Sequence, residues 1–404
     1  LLAQEVLDLA RELRDYIIGI RRQVHENPEL GFKEFKTSKL IEEELLKIGF
    51  DHVEEVGGTG VLGVLKGLKE EENDRCILLR ADIDALPIQE ETGEPYQSKI
   101  KGVMHACGHD SHIAWTLGAA KILYLLRHRF SGTVKFLFQP CEEGGGIKAV
   151  ERVLDDGVME DPKVTASLAG HIWPNLKSGE IGIARRCAMA CSTNFSIKVK
   201  GKGGHGATPD KTVDPISIGH QIYGSIEAIV TRRESQVEPI VVSICSMNAG
   251  GDRFNIIPEE CNMKGIIRSC DPDINERISE KIKKISNSIA EANEGEVEFF
   301  SELSYYPVIN DKEMIKRFCD SCRDMVAKEK IKLIEKPAMT GENFSCFSRL
   351  VPSLYAYIGT YNEGAGAVEC LHSPKFRIDE KVVPLASAVF ARVIIDYLKE
   401  GHAS

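Results

Sequence analysis

The stretch RCILLRADIDAL, residues 75–86, sets a short apolar run directly before two aspartates, Asp82 and Asp84. The run reads as a strand, and the aspartates fall where the chain would leave a sheet. Working outward, the same texture recurs. Strand-like runs at GVLGVLKG (60–67), GTVKFLFQP (132–140) and VTASLAGHIW (164–173) alternate with helical patterns at HIAWTLGAAKILYLLR (112–127) and GIKAVERVLDDG (146–157). Such alternation predicts an α/β sheet with helices on its faces. Ligands of these sheets bind beyond the carboxyl ends of the strands, and ADID, QPCEEGGG and GHIWP each follow directly on an apolar run.

Near Cys191 the texture changes. TNFSIKVKGKGGHGATPD (193–210) reads as a strand ending in a glycine-rich turn, followed by a helix at 214–230, strands at 239–250 and 261–269, a helix from Asp273 to Asn293, and EVEFFSEL (296–303). This is a two-layer α+β unit, read as an inserted domain. The α/β texture returns with a strand in SLYAYIGTYN (353–362) and a helix in VPLASAVFARVIIDYLKE (383–400). The expected division is therefore a catalytic domain over 1–188 and 303–404, interrupted by 189–302.

A length of 404 residues fits two domains, and 43% hydrophobic with 28% charged residues fits a soluble globular protein. The formal charge of −10 and the lack of a long basic run argue against nucleic acid or an anionic membrane as partner. No apolar run approaches the roughly 18 residues of a membrane span, and the opening thirty residues read as an amphipathic helix rather than a signal peptide. A cytoplasmic protein is expected. Its 12 cysteines then read as reduced thiols, mostly small core residues, and Cys319 and Cys322 lie in a helical run without the strand and turn of a redox pair.

Chemistry concentrates in a few places. In GVMHACGHDSH (102–112), Cys107 and His109 flank one glycine, so both can face one point. Glu142 and Glu143 are adjacent after KFLFQPC, His171 follows TASLAG, and His372 sits in CLHSPKF. A lone histidine at a strand end is usually a satisfied polar residue. Four strand ends supplying Cys, His and Glu together point to metal, because zinc and two-metal hydrolytic sites use these donors. In an adjacent glutamate pair, one carboxylate can bind metal while the other takes a proton from water.

Seven ordered segments, RRQVHENPELGFKE (21–34), the run from Ala81 to His112, FLFQPCEEGGG (136–146), GHIWP (170–174), GKGGHGATPD (201–210), FNIIPEECNMKGIIRS (254–269) and LHSPKFRIDE (371–380), closely resemble the aminoacylase and hippurate hydrolase family. This family of metal-dependent amidohydrolases includes auxin-conjugate hydrolases and relatives of carboxypeptidase G. The resemblance covers nearly the whole chain. It implies a zinc-peptidase-like α/β catalytic domain, with a mixed sheet flanked by helices, interrupted by a lid domain that commonly dimerises. It implies two divalent ions per subunit, zinc first, with manganese, cobalt or nickel as alternatives. Cys107 is expected to bridge them, with His109, Glu143, His171 and His372 as further ligands, Glu142 as general base, and Asp84 supporting the centre. His205 matches a lid histidine that steadies the oxyanion in the partner subunit's site, and Asn255 and Arg268 match positions that hold the substrate carboxylate. Asp82 stands where carboxypeptidase-type relatives carry a histidine ligand. In TGENFSCF, Asn343 replaces the acid of a Ser-Glu-Asp-Phe segment, a neutral amide for an anionic acceptor.

The implied activity is hydrolysis of N-acyl amino acids to a carboxylic acid and a free amino acid, with a carboxypeptidase or dipeptidase using the same two-metal centre as the alternative. A metal-binding or redox protein with Cys107 as reactive thiol is the reading from another class. Expected partners are the small-molecule substrate and a second copy of the chain through the lid. Asp110 is expected as a helix cap, and His105 and His112 as supporting residues.

Overall fold

The computed structural model describes residues 1–234 and 237–399. Two compact units divide the chain, one made of Leu1–Ala188, Ile309–Glu335 and Asn343–Ser404, the other of Met189–Val308 and Lys336–Glu342. The return to the first unit falls at Ile309, not 303, because the strand Glu296–Tyr305 keeps pairing with its neighbour as far as Tyr305 opposite Ser192. The short excursion 336–342 escapes a reading based on periodicity. A single parallel bridge, Met189 to Ala338, ties it to the start of the second unit.

The first unit is built on an eight-stranded mixed sheet. Its strands run in the order His52–Val56, Gly60–Lys66, Thr133–Gln139, Cys76–Asp82, Ala166–Lys177, Ser353–Tyr361, Ile181–Ala184, Ile331–Ile334. The quoted strand lies in the interior and is buried at every position. It runs parallel to both neighbours, with Asp82 opposite Gln139 and Arg80 opposite Ala169. Pairing on the second side stops there, so two residues further along the neighbouring strand, His171 stands level with Asp82. His171 is thus inside a strand rather than at its end: Ala166–Lys177 continues past it, held on the other side by Ser353–Tyr361 with His171 opposite Tyr357.

Helices Leu2–Glu12 and Arg14–Glu26 replace the single opening helix, broken at Leu13. The helix His109–Leu125 is buried almost all round, as expected of a helix lacking a polar stripe, and packs with Arg14–Glu26 and Val382–Lys399. At Gly118 a Cβ would lie 2.3 Å from Ser387 Oγ and 2.8 Å from Ile17 Cδ1, so only glycine allows this approach. That contact matters for function because this helix carries His109 at its first position.

The second unit pairs four antiparallel strands in the order Val241–Ala249, Glu260–Ser269, Cys191–Lys200, Glu296–Tyr305. Burial alternates along Glu260–Ser269, the pattern of a sheet covered on one face. Helices Pro215–Arg233 and Pro272–Ala292 supply the cover through a cluster including Ile218, Ile222, Ile278 and Ile282. Both helices start with Asp-Pro: Asp214 and Asp271 accept from the backbone N–H groups of Ile216 and Asp273, with proline at the first helical position.

Ten cysteines are free, but Cys187 and Cys270 are disulfide-bonded, a correction to the expectation of thiols throughout. Among the described residues no helix is long and apolar enough to cross a membrane.

Candidate metal centre

Gly108 takes φ 83° and turns the chain from Cys107 into the helix beginning at His109. Cys107 and His109 are thereby directed into the same buried space. His109 Nδ1 donates to the main-chain oxygen of Asp84 at 2.8 Å. With Nδ1 so engaged, Nε2 is the nitrogen that the neutral ring would offer to a metal, and it is buried and without a hydrogen-bond partner. His171 is set the same way: Nδ1 donates to the oxygen of Ile172 at 2.6 Å, and Nε2 lies 3.4 Å from Cys107 Sγ. Burial lowers the His171 pKa to about 4, so it is a neutral imidazole, the form that binds metal.

Glu142 and Glu143 open a helix rather than standing in a loop before one. The helix Glu142–Asp155 begins after Cys141 in the left-handed conformation (φ 53°) and kinks at Gly146 (φ 53°, ψ −144°). Carboxylates in a first helical turn are favoured by the exposed N–H groups there. The backbone N–H of Glu143 donates to Asp84 Oδ2 at 3.0 Å, so Asp84 steadies both His109 and Glu143. His372, also left-handed at φ 67°, is fastened by its N–H to the oxygen of Ala106 at 2.8 Å. Its Nε2 lies 3.4 Å from Cys107 Sγ and 3.1 Å from Glu143 Oε1. A non-glycine residue held in this region costs roughly 1–3 kcal/mol, strain located at the site itself.

The donors form three overlapping groups: Cys107 with His109 and His171, Cys107 with Glu143 and His372, and His109 with Glu142 and Glu143. Cys107 belongs to two of them, the arrangement a bridging thiolate requires. Electrostatics point the same way. Burial and the neighbouring Glu143 push the Cys107 thiol well above its ordinary pKa. His109, although its burial disfavours charge, is held well above 6.5 by the Asp82 carboxylate and Cys107. A pocket that crowds acidic groups and orients imidazole lone pairs inward fits divalent cations, which reverse these penalties.

A further group, Asp82, His109 and His112, is different. His112 donates through Nδ1 to Asp82 Oδ1, and its Nε2 accepts from the Ile172 N–H at 3.1 Å. Arg80 Nη1 donates to Asp82 Oδ2 at 2.7 Å. With both His112 nitrogens and both Asp82 oxygens engaged, this group braces the centre and offers no ready ligand set. Asp110 does not cap the helix either. Gly108 occupies that position, while Asp110 lies buried against Arg21 Nε at 2.9 Å and His25 Nδ1 at 2.8 Å.

Sequence reasoning missed Glu34. Its carboxylate is fully buried and accepts from the Cys141 N–H at 2.9 Å and from Thr59 Oγ1 at 2.6 Å, steadying the turn before Glu142. It ends the motif RRQVHENPELGFKE, but nothing local distinguishes it from the solvated acids nearby.

His205, Asn255 and Arg268 lie in the second unit. His205 is exposed and pairs with Ile256, and the N–H of Gly206 donates to the oxygen of Asn255 at 2.8 Å, so His205 and Asn255 share one small two-stranded ribbon. Arg268 is half-buried in Glu260–Ser269, opposite Val241 and Ser192. Its Nη1 is buried without a hydrogen-bond partner, and burial lowers its pKa from the ordinary value.

An α/β sheet whose strands and following turns gather a thiol, three imidazoles and a glutamate pair is the architecture of a metal-dependent hydrolase. The chain belongs to peptidase family M20/M25/M40, whose model matches residues 78–396. It is 37% identical to thermostable carboxypeptidase 2 of Saccharolobus solfataricus over 98% of this chain and 99% of the relative. It is 36% identical to the hippurate hydrolase of Campylobacter jejuni, over 98% and 100%. Among solved structures, a Bacillus subtilis protein described as a dinuclear metal binding peptidase of the M20 family superposes with a TM-score of 0.81 at 32% identity, covering 96% of this chain and 99% of the other.

Proposed function

We propose that this enzyme hydrolyses the amide bond of N-acyl amino acids. The observation that carries the reading is the central position of Cys107 Sγ, 3.4 Å from both His171 Nε2 and His372 Nε2, beside a glutamate pair; there it would bridge two ions. Cys107, His109, Glu143, His171 and His372 would hold two divalent ions, zinc first, with manganese, cobalt or nickel as alternatives. When bound, such a pair supplies acidification of water and polarisation of the amide carbonyl. Glu142 takes the proton of the attacking water and returns it to the leaving amine. Asp84 keeps His109 and Glu143 in place. The second unit acts as an inserted lid and dimerisation domain, in which His205 steadies the oxyanion across a homodimer while Asn255 and Arg268 hold the substrate carboxylate. The orphaned Nη1 of Arg268 supports an anion as its partner. A cytoplasmic setting is part of this reading, with the ten free cysteines in its favour and the disulfide-bonded Cys187 and Cys270 against it.

Glu142→Gln should keep its metal and lose nearly all turnover on an N-acyl amino acid; wild-type-like turnover would sink the reading. The identity to a carboxypeptidase favours peptidase activity at the same centre as the second reading. Rates on acetyl, benzoyl, long-chain acyl and dipeptidyl substrates separate the two. Action of His205 across subunits predicts that mixing His205→Ala with Glu142→Gln restores activity in exchanged heterodimers, and no recovery there would confine it to its own subunit.

A further inference from the structure

Asn343 is fully buried in the first unit and meets the helix that carries Glu142 in two places. Its backbone N–H points at Glu142 Oε1 at 3.4 Å, and its side-chain Nδ2 donates to the oxygen of Gly146 at 3.3 Å, at the kink. Its Oδ1 accepts from Arg80 Nη2 and from Gln139 Nε2, both at 2.8 Å. The amide orientation follows from its neighbours. Arg80 can only donate, and Gln139 has its own oxygen occupied by Arg80 Nε at 3.0 Å, so Oδ1 must face these two. Nδ2 is then left for a carbonyl that can only accept. A carboxylate here would satisfy Arg80 but set oxygen against the Gly146 oxygen.

We propose that Asn343 is a positioning residue for the general base. Its amide ties the kink of the Glu142–Asp155 helix at Gly146 to Arg80 and Gln139 near the ends of two sheet strands, and its N–H aims the Glu142 carboxylate. The same Arg80 holds Asp82, so the base is fastened to the residues that brace the metal ligands. This inference rests on the assignment of Glu142 as base. A misplacement of about 1 Å in such a group costs on the order of 100-fold in rate.

The test is a double-mutant cycle on kcat in the metal-loaded enzyme. Asn343→Ala should lower kcat by about 10- to 100-fold with KM and metal content nearly unchanged. In a Glu142→Asp background, whose shorter side chain no longer reaches the N–H that the Asn343 amide holds in place, the same change should lower the residual kcat by less than about threefold. Equal factors in both backgrounds would overturn the proposal, as would an unaffected kcat in the single variant. Should Asn343→Ala not fold, the near-isosteric Asn343→Asp carries the same cycle and is also expected to lose kcat, because it cannot donate to Gly146. Glu142→Gln in parallel keeps the failures apart. If it retains turnover, the base assignment is wrong; if it is inactive while the cycle shows equal factors, only the role of Asn343 is wrong.

Discussion

The two units present their candidate residues in opposite ways. In the first, Cys107, His109 and His171 are buried and each imidazole is fixed by a hydrogen bond from its outer nitrogen. In the second, His205 and Asn255 are exposed on a ribbon of two two-residue strands, next to a fully exposed Phe254. A buried, unpartnered donor is costly unless something binds it, so the first region declares its chemistry from geometry alone. An exposed side chain carries no such obligation, and its role depends on what comes to meet it.

The sharpest test of this contrast is Cys107→Ala. Removing the thiol shared by two donor groups should abolish turnover and release at least one ion, read by metal analysis of the purified variant. Full metal content would mean that the buried cluster does not depend on its central donor. Next in size, His205→Ala should lower kcat by about 100- to 1000-fold, the loss typical of one oxyanion donor, with metal content intact. Unchanged kcat would leave the exposed ribbon without a catalytic part and deepen the contrast. Asp84→Asn probes the brace: a drop of about 10- to 100-fold in metal affinity or activity is expected, measured by chelator competition.

The smallest effect concerns stability. His25 lies between Asp110 at 2.8 Å and Glu90 at 3.2 Å, edge-on to Tyr96 and near His105. Burial and the Arg21 charge oppose its protonation, but the Asp110 and Glu90 carboxylates raise its pKa above the ordinary 6.5. A raised folded pKa gives stability fully present below the unfolded value and lost as pH rises through the folded one. His25→Gln should therefore lower the melting temperature more at about pH 6 than at about pH 9. An equal shift at both would show that its charge contributes nothing.

Much of this was legible in one dimension. The apolar run ending at Asp82 gave a buried strand because short apolar runs bounded by polar residues have few other ways to fold, and the helix His109–Leu125 has no polar stripe beyond its first turn and is buried nearly all round. Glu142 and Glu143 stood out by adjacency, yet their place in the first turn of a helix could not be read, since three glycines in succession argue against helix. Here the kink at Gly146 and the contacts of Cys141 and Glu143 with Glu34 and Asp84 override that propensity.

The sequence by itself determined the kinds of donor and the strands that bring them, because residue type and periodicity are local properties. Only the tertiary structure decided which nitrogen of each histidine faces inward, that His171 stands level with Asp82 inside a longer strand, and that His112 is spent on Asp82. It alone brought Glu34 and Asn343 to the helix of Glu142. Those outcomes depend on hydrogen-bond partners far apart in sequence, 201 residues between Glu142 and Asn343 and 263 between Arg80 and Asn343, and on the demand that buried polar atoms be satisfied, which acts only once the chain has folded.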